Sequence, residues 1–169
     1  MNIGFLRKRK ISSIKRVILH HSESKHGSVK LFRHIHVHDN GWSDIGYNVV
    51  IGNGWGMIDG EIMPGRDLCY AGAHTKWRNA DSIGVCLVGS FMETEPSPKQ
   101  YESLIRLLTE YCFMFNLDPL GQDKHGYVIS AHRDHRPTDC PGDAFYKMLP
   151  MIREDVKDSL NVMLIEKLK

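Results

Sequence analysis

The sequence predicts an α/β domain. Two short β-rich runs, Arg16–Leu19 and Ser82–Gly89, are separated in the chain from a capped amphipathic helix, Ser97–Phe115, and from a second apolar stripe after Pro150. SIGVCLVG, residues 82–89, is almost continuously apolar. That is how a strand buried on both faces reads. At 169 residues the length suits one domain with its own core.

The elements follow in chain order. Residues 1–15 form an expected basic arm, carrying Arg7, Lys8, Arg9, Lys10 and Lys15 without an acid, and residues 16–169 form the domain. The plain reading of the arm is a solvated, partly mobile segment; the sharper one is a contact for an anionic envelope polymer. Arg16–Leu19 is a strand that presents His20 at its end. Val29–Asp39 has helical apolar spacing and stops at Asn40-Gly41. His34, His36 and His38 therefore fall on different faces, with His36 packed and the other two exposed. Ile45–Ile51 is a strand candidate whose alternation sets Tyr47, Val49 and Ile51 on one face. Gly52-Asn53-Gly54 signals a hairpin with Trp55–Ile58 as partner. Cys86, inside the central run, reads as a core thiol.

Ser97 caps the clearest helix, with Pro98 in its first turn and Gln100 completing a capping box. Its stripe is Tyr101, Leu104, Ile105, Leu108, Tyr111, Cys112 and Phe115. Asn116–Tyr127 reads as a loop and Val128–Ser130 as a short strand. After a helical turn at Asp143–Leu149, Ile152, Val156, Leu160, Met163, Leu164 and Leu168 form a second stripe, expected to pack on the domain.

Composition excludes little but bounds much. Net charge is +2, too small to argue for nucleic acid by itself, and no apolar run is long enough to span a membrane. The basic start lacks an apolar stretch after it, so the expectation is synthesis in the cytoplasm without a signal peptide. Cysteines 69, 86, 112 and 140 lack a compact disulfide spacing, which favours thiols or a metal ligand.

The chemistry concentrates in Ser130–Gly142, SAHRDHRPTDCPG, with two histidines, a threonine and a cysteine. Two prolines and a glycine make it a shaped loop. A thiolate and an imidazole on one loop are two zinc ligands, and His20-His21 offers a third. His, His and Cys with an open fourth position is a catalytic arrangement. A fourth ligand, for which His21 or His135 is available, would make a closed structural one.

Five pieces stand in one order: ILHHSES, GWSDIGYNVVI, GRD, GAHTKWRNADSIGVCLVG and AHRDHRPTDCPGDAFY. Together they resemble the zinc-dependent N-acetylmuramoyl-L-alanine amidases of the type 2 amidase family, over residues 16–150. That family includes the lysozymes of T-odd coliphages and the peptidoglycan recognition proteins. The resemblance implies a mixed central sheet flanked by helices on both faces, with a zinc cleft at the sheet edge. It implies one zinc per chain held by His20, His132 and Cys140, with His21 and His135 at non-ligand positions. Tyr47 matches the catalytic tyrosine. Thr138 falls where phage members often carry lysine and catalytic recognition proteins carry threonine. Cys140 favours an enzyme, since members that only bind peptidoglycan commonly lack it. His74 and Asn79 fall in a segment that borders the substrate groove, and are expected to contact substrate or to serve the loop alone.

The implied reaction is hydrolysis of the bond between N-acetylmuramic acid and L-alanine in peptidoglycan. A phage or prophage endolysin, acting as a monomer on the wall after release, is the leading expectation. A cytoplasmic muropeptide-recycling amidase and a non-catalytic peptidoglycan recognition module are the alternatives. A further class is a regulatory protein whose basic arm binds nucleic acid or a polymerase.

Overall fold

A computed structural model describes residues 6–168. Five strands form one mixed sheet in the order β3-β2-β4-β1-β7. They are β1 (Arg16–His21), β2 (Val49–Ile51), β3 (Ile62–Pro64), β4 (Ser82–Leu87) and β7 (Ile129–Ala131). β1 runs parallel to both β4 and β7, β2 runs parallel to β4, and β3 pairs antiparallel with β2. Every residue of β4 and β1 is buried. Their lack of polar alternation follows from being covered on both faces.

The two faces have separate cores. Val17, Leu19, Val85, Leu87 and Ile129 pack with Leu104, Leu108, Ile152 and Val156, which come from α2 (Pro98–Phe115) and, after the short α3 (Asp143–Lys147), from α4 (Leu149–Lys167). Val50, Cys86 and Val88 pack with Val29 and Phe32 of α1 (Val29–His34). Helices thus cover both faces, as the sequence implied. Cys86 is a fully buried core thiol.

The predicted caps form. Ser97 Oγ accepts from Gln100 N, Gln100 Oε1 accepts from Ser97 N, and Asn116 closes α2 in the left-handed conformation at φ 51°. Gln100 also donates through Nε2 to Val88 O at 2.9 Å, pinning the helix start to the end of β4. Leu107 joins the buried stripe of α2, and Tyr101, Ile105 and Phe115 pack at its margin. α1 runs on into a π-helical turn, Ile35–Asp39, closed where Asn40 N donates to Ile35 O.

Several expectations need correction. The hairpin after β2 is wider than its glycines suggest. Gly52 N donates to Glu61 O, so the partner strand is Ile62–Pro64, and Trp55–Ile58 lies within the connecting turn. Ile58 O lies 2.4 Å from where a Cβ on Gly52 would stand, and that close approach requires glycine. Residues 45–48 are not strand, so strict alternation does not extend back through them. Tyr47 accordingly packs on the side of Val50, not with Val49 and Ile51. The 116–127 loop contains a small hairpin of β5 (Gln122–Asp123) and β6 (Gly126–Tyr127). The strand before the His132 loop starts one residue later than expected.

The second stripe packs only along its first half. Ile152 and Val156 are buried, whereas Leu164 is 42% exposed and Leu168 88%. The helix extends past the sheet elements that would cover it. Of the expected basic arm, residues 1–5 lie outside the described residues, and residues 7–14 are tied to the domain even though several of their side chains, Lys8 and Lys10 among them, are exposed. Arg9 donates through Nε to Leu68 O and through its guanidinium to Ser82 O, Ala71 N donates to Arg7 O, and Ile14 is 2% exposed within the core. Here local positive charge suggested solvent, and carbonyl oxygens of residues 68–82 supplied partners instead.

Candidate metal centre

Strand geometry separates the two adjacent histidines. Successive side chains of β1 point to opposite faces, so His21 goes to the side of Phe91, whose N–H donates to His21 Nδ1 at 3.3 Å. His20 goes to the other side, toward Tyr47 and His74, at ring-centroid distances of 5.3 and 5.0 Å. The parallel register then brings in His132. Leu19 pairs with Ala131, so the next residue of each strand, His20 and His132, emerge side by side with centroids 4.6 Å apart.

His132 opens a single 3-10 turn, His132–Asp134, fixed by Ala131 N donating to Asp134 Oδ2 at 2.8 Å. The loop returns to place Cys140 opposite. Arg133 N donates to Cys140 O, and the Arg133 side chain donates to Asp139 O and pairs with Asp143 at 2.6 Å. One arginine therefore clamps both arms of the loop.

Cys140 Sγ lies 3.6 Å from His20 Nδ1. The ligand atoms of His20, His132 and Cys140 all lie within 4.8 Å of one another. Neither His21 nor His135 belongs to this group among the described residues. His135 Nε2 lies instead 2.9 Å from Ser130 Oγ. The three groups meet beside a cleft of about 250 Å³ that is also lined by Tyr47, His36, Trp42 and His74. The cleft lies at the C-terminal end of β1, the strand beside the edge strand β7, and His132 follows directly after β7.

Burial sets the protonation of the trio. It drives His20 well below its ordinary range, with His74 and His132 adding repulsion. His132 falls to about 4 through burial, then through His135 and Arg136. Both imidazoles are thus neutral and able to donate a lone pair at pH 7. Burial pushes the Cys140 thiol up to about 12. An arriving cation must therefore displace that proton to gain a thiolate.

Tyr47 is partly buried, and burial raises its phenol well above the usual range, so it remains a hydrogen-bond donor. Thr138 is not among the cleft-lining residues. Its Oγ1 accepts from Cys140 N at 3.3 Å, which shapes the ligand loop. His74 borders the cleft but is only 8% exposed, with Nδ1 3.0 Å from His20 Nε2. Asn79 does not reach the metal cleft. Its Oδ1 accepts from the backbone N–H groups of His74 and Thr75 at 2.9 and 2.8 Å.

Sequence reasoning missed Arg66, quoted only within GRD. It is buried and donates to Asp44 O, Ile45 O and Ala71 O, which holds the segment leading to Tyr47. An arginine between a glycine and an aspartate in a loop was the available signal. A larger groove of about 700 Å³ lies between α2 and α4 and includes none of the three ligand residues.

A mixed α/β sheet whose parallel strand ends bring two imidazoles to one cleft, where a loop adds a thiol, defines a protein with a candidate three-ligand metal site. Residues 10–143 match the type 2 amidase family, described as N-acetylmuramoyl-L-alanine amidase, and the chain belongs to that family. An N-acetylmuramoyl-L-alanine amidase of Sus scrofa is 32% identical over 125 residues, which are 72% of this chain and 19% of the relative. An endolysin of Klebsiella phage KP32 is 34% identical over 108 residues, 61% of this chain and 62% of that protein. The chain thus spans less than two thirds of either relative. The solved structure of N-acetylmuramoyl-L-alanine amidase LysC from Clostridium intestinale URNW superposes with a TM-score of 0.72, at 28% identity and 95% coverage of both chains. Among the described residues no helix is long and apolar enough to cross a membrane.

Proposed function

We propose that this chain hydrolyses the amide bond between N-acetylmuramic acid and L-alanine in peptidoglycan, as a monomeric phage or prophage endolysin with one zinc on His20, His132 and Cys140. The observation that carries the reading is the mutual approach of those three ligand atoms, within 4.8 Å, with no fourth protein ligand in the group among the described residues. Tetrahedral zinc with bonds of about 2.0–2.3 Å to nitrogen and sulfur separates an N,S pair by about 3.5 Å. The 3.6 Å between His20 Nδ1 and Cys140 Sγ fits that geometry. When bound, zinc supplies Lewis-acid polarisation of the scissile carbonyl and of water.

The chain's own residues do the rest. Tyr47, kept protonated by burial, donates a hydrogen bond to the oxygen on which negative charge develops. Thr138, whose oxygen already accepts from Cys140 N, retains its own proton for donation while holding the ligand loop. Trp42 and His36, with ring centroids 4.7 Å apart, form an aromatic wall of the cleft against which the substrate is held and water excluded. The exposed Lys8, Lys10 and Lys15 form a contact for an anionic envelope polymer. The similarity to a phage endolysin supports the lytic role.

The test combines zinc per chain with release of amino groups from purified peptidoglycan, with and without a chelator. About one zinc and chelator-sensitive release, with new amino termini on L-alanine, is the expected result. Zinc binding without release would replace the enzyme by a recognition module, and full release from the metal-free protein would remove the zinc mechanism.

A further inference from the structure

We propose that His74 is a positioning residue for the metal, accepting a hydrogen bond from His20 Nε2–H so that His20 Nδ1 stays bare and aimed at the ligand side. This rests on the metal reading of His20, His132 and Cys140 and gives His74 a task separate from substrate contact. A chain of donors and acceptors fixes its direction. Ser82 Oγ donates to Arg78 O at 2.6 Å, which leaves its lone pairs for His74 Nε2–H, 3.4 Å away. With its proton on Nε2, neutral His74 has a bare Nδ1, which accepts from His20 Nε2–H at 3.0 Å. Thr75 Oγ1, 3.1 Å from the same Nδ1, can donate to it as well. His20 then carries its proton on Nε2, and its unprotonated nitrogen is the one 3.6 Å from Cys140 Sγ.

The fold builds a slot for this ring. A Cβ on Gly84, in the central strand β4, would come within 2.5 Å of His74 Cγ and Cδ2. A Cβ on Gly72 would come within 2.5 Å of His74 Cδ2. Two positions without side chains therefore admit the imidazole, and any larger residue at either would displace it. Asn79 fixes the approach from the backbone side through its two accepted N–H bonds. GAH, Asn79 and Gly84 thus form one device that orients a ligand, with His74 between the device and His20. A carbonyl-type or imidazole acceptor behind a ligating histidine holds its tautomer and ring plane.

The test compares zinc affinity, by competition with a chromogenic chelator, in the wild type and in His74→Ala, His74→Leu and His74→Asn, with thermal melting as the check on folding. Loss of the acceptor is expected to weaken zinc about 10–100-fold in the alanine and leucine variants. Asparagine, which returns an acceptor oxygen near the Nδ1 position, is expected to recover most of that loss. A leucine variant with wild-type affinity would overturn the proposal, whereas a wild type that binds no zinc would overturn the metal reading on which it rests. Long-range 1H–15N correlation on the zinc-loaded wild type gives a second readout that needs no variant. His74 protonated on Nε2 is expected, and protonation on Nδ1 would overturn the proposal.

Discussion

Cys140 Sγ stands 3.6 Å from His20 Nδ1 across 120 residues of sequence, and the contact exists because the Arg133-clamped loop turns back toward the end of β1. Cys140→Ser replaces a thiol by a hydroxyl that does not ionise near neutral pH, and the centre loses its anionic ligand. Zinc content is expected to fall to a small fraction of one per chain and amide cleavage to disappear with it. Metal analysis after dialysis, beside an amino-group release assay, checks this. Full cleavage by the zinc-free variant would remove Cys140 from the mechanism.

Tyr47→Phe separates donation from packing. Tyr47 packs at the edge of the Val29, Phe32 and Val50 cluster, and the phenyl ring preserves that contact. Zinc content and melting temperature are expected to stay at wild-type values. Turnover is expected to fall about 10²–10³-fold, the usual cost of removing one donor to a developing oxyanion. Steady-state kinetics on peptidoglycan fragments would show it, and an unchanged kcat would make Tyr47 a packing residue only.

The metal-free protein is expected to lose stability in mild acid. Burial holds His74 at about 3, so the folded state leaves it neutral while the unfolded chain protonates it below about 6.5. Between those values the unfolded state binds the extra proton, so stability rises with pH and falls as pH drops. The slope from one such histidine is about 1.4 kcal/mol per pH unit. Burial lowers His20 and His132 in the same direction. Urea midpoints of the metal-free protein from pH 7 to pH 5 provide the measurement, and a flat profile would contradict the buried neutral state of these rings.

What was legible in the sequence depended on how local the cause was. The α2 cap is written within four residues, Ser97 to Gln100, and forms as read. The central strand is written in its own apolarity. A His, His and Cys set was legible from the residues, but the choice of His20 over His21 and of His132 over His135 came only through resemblance to a family, because it depends on strand facing and on the register of β1 against β7. The hairpin partner of β2 was misread because Gly52-Asn53-Gly54 marks where the chain leaves the strand, not where it rejoins. Of the GAH segment, His74 borders the cleft, whereas Asn79 braces the backbone of His74 and Thr75 from outside it. The slot left by Gly72 and Gly84 is invisible in a sequence, since two glycines 12 positions apart share a ring only after β4 has packed.

The basic stretch before β1 divides into residues that hold the fold and residues that face solvent. Ile14→Ala removes a side chain that is 2% exposed in the core, and is expected to cost about 2–5 kcal/mol. Arg9→Ala unpairs the carbonyls of Leu68 and Ser82, at about 1–3 kcal/mol. At about 2–4 °C per kcal/mol for a domain of this size, each variant melts several degrees lower. Lys8→Ala and Lys10→Ala alter exposed side chains and are expected to leave melting within about 0.5 kcal/mol of wild type. Their effect belongs instead to the salt dependence of binding to an anionic polymer, which should become shallower. Thermal melts and binding at graded salt therefore sort the same short segment into two jobs. Equal melting losses from the lysine variants would mean that those side chains also hold the domain together.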